Sequence, residues 1–534
     1  SKHIEEVLNE KISSEKIPIK LIKVIIDKAK PNDEVMEEYN HTASAIQKLQ
    51  TEEANARMQE VRKLSEAKRA EADDAYRLKM GLTADQYIKL RSLEIEKEKV
   101  DMKKIVLFWA IFGMLFSTGI VLAETTTTLK TEKIKYPKGI RNVTSVTEVF
   151  GNGQQITHII IEFNDKVVNS QLSRDTFAVP GRTVEKVYSN TQPEKTNIVK
   201  DGKYVIIELN PKDKEASLRV EGGSEIGFQM KKATSKITQK EDILFTNGKK
   251  MEKSIAILEN NKTKNLVVEN FKQFVFKDPR TGTNVKYNLY IPKNYDRNKK
   301  YPLVLFMHDM SVLSEDTKTT LLQGNGAVSF ATPEEQSRHE AFVLAPQYSR
   351  QVVDDNGDIT SDLEATVNLV REYLPSKYSI DTKRIYATGQ SMGGMMAIVM
   401  NSKYPDLFAA SYLVACQWDD KEVAPMAKNN LWILVSTGDA KAYPGMNAIT
   451  SELIKMGGTV TREAWKGDYA EGQFLESARR LAAQKTNIKY TTLEKGTNPY
   501  LPKDANPGSE HSGTWKIAYS IPGIKDWMFS QTKQ

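Results

Sequence analysis

The chain has 534 residues, one cysteine and a net charge of +7, which comes from 76 basic against 69 acidic side chains. One domain rarely exceeds roughly 250–300 residues, so this length predicts at least two folded regions. The single Cys416 excludes an intrachain disulfide, six scattered histidines disfavour a histidine-rich zinc site, and the lack of a basic patch interleaved with aromatic residues disfavours nucleic acid as a partner.

Residues 1–101 are predicted to form a charged helical or coiled-coil segment. Between residues 43 and 99, Ala, Glu, Lys, Arg and Gln dominate, there is no proline, and Gly81 is the one glycine. Such a composition favours long helices. The sequences at 67–72 and 81–92 resemble the C-terminal part of prohibitin- and flotillin-like membrane scaffold proteins; a generic solvated helix is the alternative.

Residues 102–123 have the layout of a secretory signal peptide, with a membrane anchor as the alternative. A basic start at Met102 is followed by an apolar run and by small residues near Ala123, where a signal peptidase would cut. Because a signal peptide stands at the beginning of a protein, we hypothesise that residues 1–101 are the tail of a separate upstream protein. The product is then secreted, or held in the cell envelope if the apolar segment is not cleaved.

A linker over residues 124–139 is predicted to lead into an all-β region over residues 140–265. The β-branched runs at 156–163 and 204–209 are punctuated by Gly, Asn, Asp and Pro, a pattern typical of a sandwich of short strands. No ligand constellation is visible, so a spacer, packing or accessory module is expected rather than a second active site. His158 is interpreted as one face of a strand.

Residues 270–534 alternate short apolar strands with helical stretches, which predicts a mostly parallel sheet flanked by helices in the α/β class. The predicted strands are 286–292, 302–307, 342–346, 384–388 and 431–435, and the predicted helices are 361–374 and 447–455.

The sequence Gly389-Gln-Ser-Met-Gly393 matches G-x-S-x-G, with a predicted strand before it and a helix after it. In this context the small flanking residues allow a turn sharp enough to lift Ser391 above the end of the sheet. The helix behind the serine directs N–H groups at developing negative charge. Ser391 is therefore predicted to be a nucleophile.

A serine nucleophile needs a base, and in this fold the chain order is serine, acid, histidine. His511 is the one histidine after Ser391, so it is assigned as the base by elimination and is expected in a polar, glycine-containing loop. Asp439, just past a predicted strand, is the preferred acid, with Asp419 and Asp420 as runners-up. The acid would fix the His511 tautomer and stabilise the imidazolium.

The negative charge formed on the substrate oxygen needs backbone donors. One is expected to be the N–H of Met392, and the second the N–H of Asp309 or Met310, in the loop that follows the strand ending at Met307. His308 is interpreted as a structural residue of that loop. No metal or cofactor is needed for this chemistry.

The catalytic region resembles bacterial esterases of the polyhydroxybutyrate-depolymerase and feruloyl-esterase-like group within the α/β-hydrolases. It is most similar to those that carry an immunoglobulin-like domain ahead of the hydrolase domain. The matching stretches are 301–308, 342–347, 388–394, 438–439, 511–515 and 526–531. The resemblance implies that Ser391, Asp439 and His511 form a triad, and that residues 140–265 are immunoglobulin-like.

The sequence departs from this family pattern at two places. Asp309 stands where such esterases usually have glycine after the histidine of the oxyanion loop, and residues 435–438 lack the histidine often found at the strand end before the acid. The first departure bears on the second oxyanion donor.

The expected activity is a serine carboxylesterase that forms an acyl-enzyme on a small or polymeric ester. A polyester depolymerase or a serine peptidase on the same fold is the alternative. A non-enzymatic alternative is a membrane scaffold that carries a weakened hydrolase domain. Oligomeric state is not predicted.

Overall fold

The computed structural model describes residues 136–220 and 229–533, which belong to one compact unit. The predictions for residues 1–101 and 102–123 lie outside the described residues, as does most of the predicted linker 124–139. Among the residues described, none forms a helix with the length and hydrophobicity needed to cross a membrane.

The first ten strands build an immunoglobulin-like sandwich, which confirms the all-β prediction. They are β1 (Ile140–Phe150), β2 (Gly153–Val167), β3 (Phe177–Ala178), β4 (Val184–Asn190), β5 (Gly202–Leu209), β6 (Lys236–Gln239), β7 (Ile243–Leu244), β8 (Lys250–Met251), β9 (Ser254–Glu259) and β10 (Lys262–Asn265). One sheet has the order β10-β1-β2-β5-β4, the second has the order β3-β6-β9, and β7 pairs with β8.

The core of the sandwich follows from the alternation of side chains along β2. Ile159 and Ile161 are fully buried and share a cluster with Phe177 and Ile237 of the second sheet. Ile160, between them, packs on the opposite face of the first sheet in a smaller cluster. Both faces of β2 are therefore covered, which explains its continuous apolar run.

His158 lies in β2 and is 2% exposed. Its Nδ1 lies 3.1 Å from Thr157 Oγ1. Burial lowers the pKa of His158 to about 4, with Lys195 and Lys264 acting in the same direction and Glu148 opposing them. The imidazole is therefore neutral in the folded protein at neutral pH.

This depressed pKa predicts an acid-sensitive sandwich. In an unfolded chain His158 titrates near 6.5, so the unfolded state binds the extra proton first as the pH falls. The stability contributed by neutral His158 is complete above pH ~6.5 and is lost towards pH ~4, by up to about 3 kcal/mol. Urea unfolding of the wild type and of His158→Gln at pH 7 and pH 4.5 measures this effect. The variant should lose less stability between the two, and equal losses would contradict the assignment.

The remaining strands form a single sheet of nine. They are β11 (Phe271–Lys277), β12 (Asn284–Tyr290), β13 (Tyr301–Met307), β14 (Phe342–Gln347), β15 (Ile380–Gln390), β16 (Ala410–Val414), β17 (Leu431–Ser436), β18 (Val460–Trp465) and β19 (Ile488–Leu493). Their order is β11-β12-β14-β13-β15-β16-β17-β19-β18. The pairs β11–β12 and β12–β14 are antiparallel, and all the other pairs are parallel.

Helices cover both faces of this sheet, as two separate apolar clusters show. They are α1 (Thr319–Leu322), α2 (Pro333–Arg338), α3 (Ser361–Asn368), α4 (Leu374–Lys377), α5 (Met392–Lys403), α6 (Ala442–Lys455), α7 (Glu471–Ala482), α8 (Pro507–Ala518) and α9 (Ile524–Ser530). The mostly parallel sheet with flanking helices confirms the predicted α/β-hydrolase fold.

The helix predicted over residues 361–374 is interrupted. A π-helical turn, Leu369–Tyr373, separates α3 from α4. Pro375 stands in the first turn of α4 and has no N–H to donate to a carbonyl one turn earlier. Local widening of the helix accommodates the missing hydrogen bond.

The turn between β1 and β2 packs against the hydrolase domain. A Cβ placed on Gly151 would lie 1.7 Å from the carbonyl oxygen of Lys516 in α8, so the backbones approach more closely than any side chain allows. A Cβ on Gly153 would lie 3.4 Å from the carbonyl oxygen of Gln323. The sandwich therefore touches two segments of the hydrolase domain at one hairpin tip.

Candidate active site

Ser391 lies between β15 and α5 with φ 50° and ψ −120°, a conformation that a non-glycine residue rarely adopts. The turn is tight because α5 starts immediately behind the strand. A Cβ on Gly393 would lie 2.0 Å from the Met307 carbonyl oxygen, which explains the glycine two residues after the serine. The serine is thereby held above the C-terminal edge of the parallel strands.

His511 approaches Ser391 from α8, with its Nε2 3.0 Å from Ser391 Oγ. The prediction of a loop around His511 was wrong. Asn506 caps the helix by accepting a hydrogen bond from Ser509 N, and Pro507 occupies its first turn. The N-terminal cap and the proline stabilise the first turn of α8, so the helix tolerates Ser509, Ser512 and Gly513, which had suggested a loop.

Asp439 follows β17 and is 3% exposed. Its Oδ2 lies 2.5 Å from His511 Nδ1, and its Oδ1 accepts hydrogen bonds from the backbone N–H groups of Lys441 (3.0 Å) and Ala442 (2.9 Å). Burial raises the pKa of Asp439, but the bond to His511 and the two N–H groups outweigh it, so the pKa lies below its usual value.

A depressed carboxyl pKa stabilises the fold above the ordinary aspartate pKa, and this contribution is lost as the pH falls through the folded value. Asp439 is therefore ionised at neutral pH and oriented towards His511. The runner-up Asp419 caps a 3-10 turn by accepting from Lys421 N, and neither it nor Asp420 is hydrogen-bonded to His511.

Two backbone N–H groups border the serine with no acceptor in their own helices. Met392 is the first residue of α5, and Met310 is the first residue of a 3-10 turn, Met310–Val312. Both residues line the cavity that contains Ser391. These are the candidate oxyanion donors expected from the sequence, with the Asp309 N–H as the alternative second donor.

The aspartate that replaces the usual glycine holds its loop through the side chain. Asp309 is 3% exposed, and its Oδ1 accepts from Ser311 N (3.0 Å) and Ser311 Oγ (2.5 Å). Its Oδ2 accepts from Nε2 of Gln390, the residue before the serine, at 2.8 Å. The side chain of Asp309 thus links the loop after β13 to the turn that carries Ser391.

The neighbouring His308 is fully buried and holds the same loop from the other side. Its Nε2 accepts from Tyr348 N (3.0 Å), so Nδ1 carries the proton and donates to the carbonyl oxygen of Asp309 at 2.7 Å. Burial lowers the pKa of His308, and the ring is neutral. Its position agrees with a structural role.

Removing the Asp309 carboxylate should slow catalysis without unfolding the protein. We expect Asp309→Ala to lower kcat by ~100-fold, the lower end of the loss seen when an oxyanion donor is displaced. Ester hydrolysis rates of Asp309→Ala and of the control Asp316→Ala test this. Asp316 is a suitable control because its carboxylate also accepts from a backbone N–H two residues on, that of Lys318, but in an exposed turn. Equal rates for the two variants would show that Asp309 does not hold the loop.

The three side chains open into a cavity of about 970 Å³. This is the upper end of the range usual for small-molecule sites. An apolar group lines part of the cavity, and its members are Met310, Val312, Val353, Met392 and Met395. Val220 and Gln229 of the sandwich line another part, so both domains contribute to the walls.

In the described parts of the chain, no group of three His, Cys, Asp or Glu side chains could hold a metal ion. Cys416 is buried, and burial raises the pKa of its thiol. The thiol is therefore poorly suited to act as a nucleophile.

The mostly parallel sheet flanked by helices, with Ser391 in the turn between β15 and α5, has the α/β-hydrolase fold. Two family models match it in the same order as the two domains. The model "Esterase Ig-like N-terminal domain" matches residues 142–252, and the model "Putative esterase" matches residues 279–495. The chain therefore contains an immunoglobulin-like domain of the esterase type followed by an esterase domain. Neither match reaches residues 1–101, so the resemblance of that segment to prohibitin-like proteins has no support.

A solved structure described as a thermostable esterase is similar over both domains, with a TM-score of 0.62 and 26% identity. The similarity covers 73% of this chain and all of that one. Feruloyl esterase B of Talaromyces stipitatus is 29% identical over 130 residues, 23% of this chain and 33% of that protein. Acetylxylan esterase A of Emericella nidulans is 27% identical over 133 residues, 25% of this chain and 42% of that protein. The chain thus spans less than half the length of these curated relatives.

Proposed function

We propose that this protein is a serine carboxylesterase in which Ser391 is the nucleophile, His511 the base and Asp439 the acid. The observation that carries the proposal is the pair of hydrogen bonds that connects these residues, 3.0 Å from Ser391 Oγ to His511 Nε2 and 2.5 Å from His511 Nδ1 to Asp439 Oδ2. They line one cavity within an esterase-family domain.

The reaction proceeds in two steps. His511 Nε2 takes the Ser391 proton as Oγ attacks the ester carbonyl, while the Met392 N–H, with Met310 or Asp309, binds the oxyanion. His511 then protonates the leaving alcohol, and an acyl-enzyme remains on Ser391. Water, deprotonated by His511, attacks this ester, and the acid product leaves with Ser391 regenerated. Ionised Asp439 holds the histidine tautomer and stabilises the imidazolium in both steps.

The substrate is a carboxylic ester of small size or the accessible end of a polymer. The apolar methionine-rich wall suits an acyl or aromatic group, and the cavity volume accommodates one such group together with an alcohol. Feruloyl and acetylxylan esters enter the test panel because relatives carry those names. Polyester and peptide substrates remain alternative substrates on the same chemistry.

Hydrolysis of nitrophenyl esters from acetate to palmitate, with ethyl ferulate and acetylated xylan added, tests the proposal. A fluorophosphonate probe, followed by peptide mass spectrometry, identifies the reactive serine. We expect ester turnover and labelling at Ser391. Labelling at another serine, or peptide hydrolysis without ester hydrolysis, would contradict the proposal.

Secretion of the mature enzyme also stays a prediction, since it rests on the signal-like residues 102–123. N-terminal sequencing of the product released by cells should give a start near Glu124. An intact chain in the membrane fraction would favour the anchor, and negligible esterase activity in that fraction would favour the scaffold alternative.

A further inference from the structure

A second carboxylate, Glu510, lies next to His511 in α8. It is 2% exposed, and it has no salt-bridge partner within residues 136–220 and 229–533. A buried carboxylate without an ion-pair partner is costly unless hydrogen-bond donors hold it, so the groups that donate to Glu510 fix its position.

The Glu510 side chain connects three segments. Its Oε2 accepts from Ser436 Oγ at 2.6 Å, and its Oε1 accepts from Gly496 N at 2.8 Å. Ser436 is the last residue of β17, and Gly496 follows β19. The helix that carries His511 is thereby attached to the ends of two parallel strands.

The connection continues towards the acid of the proposed triad. Ser436 Oγ, while donating to Glu510, also accepts from Gly438 N at 3.1 Å. Gly438 immediately precedes Asp439, whose own N–H donates to the Ser436 carbonyl oxygen at 3.1 Å. The side chains of Glu510 and Ser436 therefore link the backbone beside His511 to the backbone beside Asp439.

We infer that Glu510 is a positioning residue. It sets the separation of His511 from Asp439 by clamping α8 onto residues 436–439, the segment that ends in Asp439. The inference rests on the proposed esterase function. The inference concerns geometry, since Glu510 accepts from Ser436 and Gly496, while His511 is hydrogen-bonded to Ser391 Oγ and donates to Asp439. A displacement of about 1 Å at a reacting group costs up to ~100-fold in rate.

Glu510→Ala removes the clamp and should lower kcat by about 30–100-fold with a smaller change in KM, because the apolar wall of the cavity lies outside α8. Glu510→Gln should keep most of the activity. Its amide oxygen can still accept from Gly496 N, and its NH₂ group can donate to Ser436 Oγ. The Ser436 oxygen then accepts from both the introduced amide and the Gly438 N–H. Ser436→Ala should fall between the two, since it removes one of the two bonds.

Thr514→Val is the matched control for loss of helix stability. Thr514 is fully buried one turn after Glu510, and its hydroxyl donates to the Glu510 carbonyl oxygen at 2.9 Å and has no hydrogen bond to residues 436–439. The variant should lower the melting temperature with kcat unchanged. A kcat loss in Thr514→Val as large as that in Glu510→Ala would reduce the role of Glu510 to helix stability and overturn the inference.

The first readout is the second-order rate of Ser391 labelling by the fluorophosphonate probe, since this depends on nucleophile activation and not on the correct choice of ester. The second is kcat and KM on the best nitrophenyl ester. Slow labelling and low kcat in Glu510→Ala, both rescued in Glu510→Gln, support the clamp. Unchanged labelling in Glu510→Ala overturns it, as does a Gln variant as slow as Ala. A wild type that is not labelled at Ser391 contradicts the proposed function itself.

Discussion

Alanine in place of Ser391 is expected to lower kcat for a nitrophenyl ester by about a millionfold, to the level of the residual catalysis that binding and the oxyanion donors supply. The effect is this large because no acyl-enzyme can form without Oγ. The fold should be intact, because within residues 136–220 and 229–533 the Ser391 hydroxyl is hydrogen-bonded to His511 alone.

Ser402→Ala is the matched control for this prediction. Ser402 lies in the same helix, α5, with its Oγ 3.5 Å from Met426 Sδ, and it is distant in sequence from the turn. We expect full activity and full fluorophosphonate labelling. Initial rates and circular dichroism melting curves of both variants provide the measurement. Substantial ester turnover by purified Ser391→Ala would refute the assignment of the nucleophile.

Asparagine at Asp439 is expected to lower kcat by roughly 10⁴-fold, which is the loss that this change causes in serine proteases. The hydrogen bonds of Asp439 explain why His511 would adopt the wrong tautomer in this variant. Asp439 Oδ1 accepts from two backbone N–H groups, so the asparagine oxygen must occupy that position. Its NH₂ group then faces His511 Nδ1 and requires that nitrogen to be an acceptor. The proton moves to Nε2, which can no longer accept the proton of Ser391.

The runner-up carboxylates supply the controls. Asp419→Asn and Asp420→Asn each remove one negative charge, as Asp439→Asn does, from a segment about 20 residues earlier in the chain. Neither residue is hydrogen-bonded to His511. Both variants should retain nearly wild-type kcat at pH 8. A collapse of activity in Asp420→Asn, together with an active Asp439→Asn, would move the acid to the earlier loop.

The fold was predictable from the sequence where periodicity and turn chemistry agree. Five predicted strands of the hydrolase domain, from residue 286 to residue 435, correspond to β12, β13, β14, β15 and β17. The interrupted helix over residues 361–374 was not predicted, because the effect of Pro375 depends on the packing that keeps the chain helical around it. Four strands of this sheet, β11, β16, β18 and β19, were not predicted, and the edge strand β18 has no clear apolar alternation.

The candidate site shows a similar division between local and distant information. The Ser391 turn is local, since its glycines and flanking elements are adjacent in sequence. His511 followed by elimination, but its helix did not, because Ser509, Ser512 and Gly513 suggest a loop when the Asn506 cap is overlooked. The roles of Gln390 and Glu510 depend on partners 81 and 74 residues away, Asp309 and Ser436. The sequence offered one indication of these roles, which is that Gln390 and Glu510 are polar residues directly preceding Ser391 and His511.

The contact at Gly151 bears on how the two domains can be recombined. The hydrolase domain presents the Lys516 carbonyl to a turn that must have no side chain there. A foreign sandwich joined to the hydrolase domain over residues 266–270 would need glycine at this position and a hairpin of the same length. Exchange of the sandwich should therefore succeed when the incoming β1–β2 hairpin keeps this glycine and this length, and fail when a side chain stands opposite the Lys516 carbonyl.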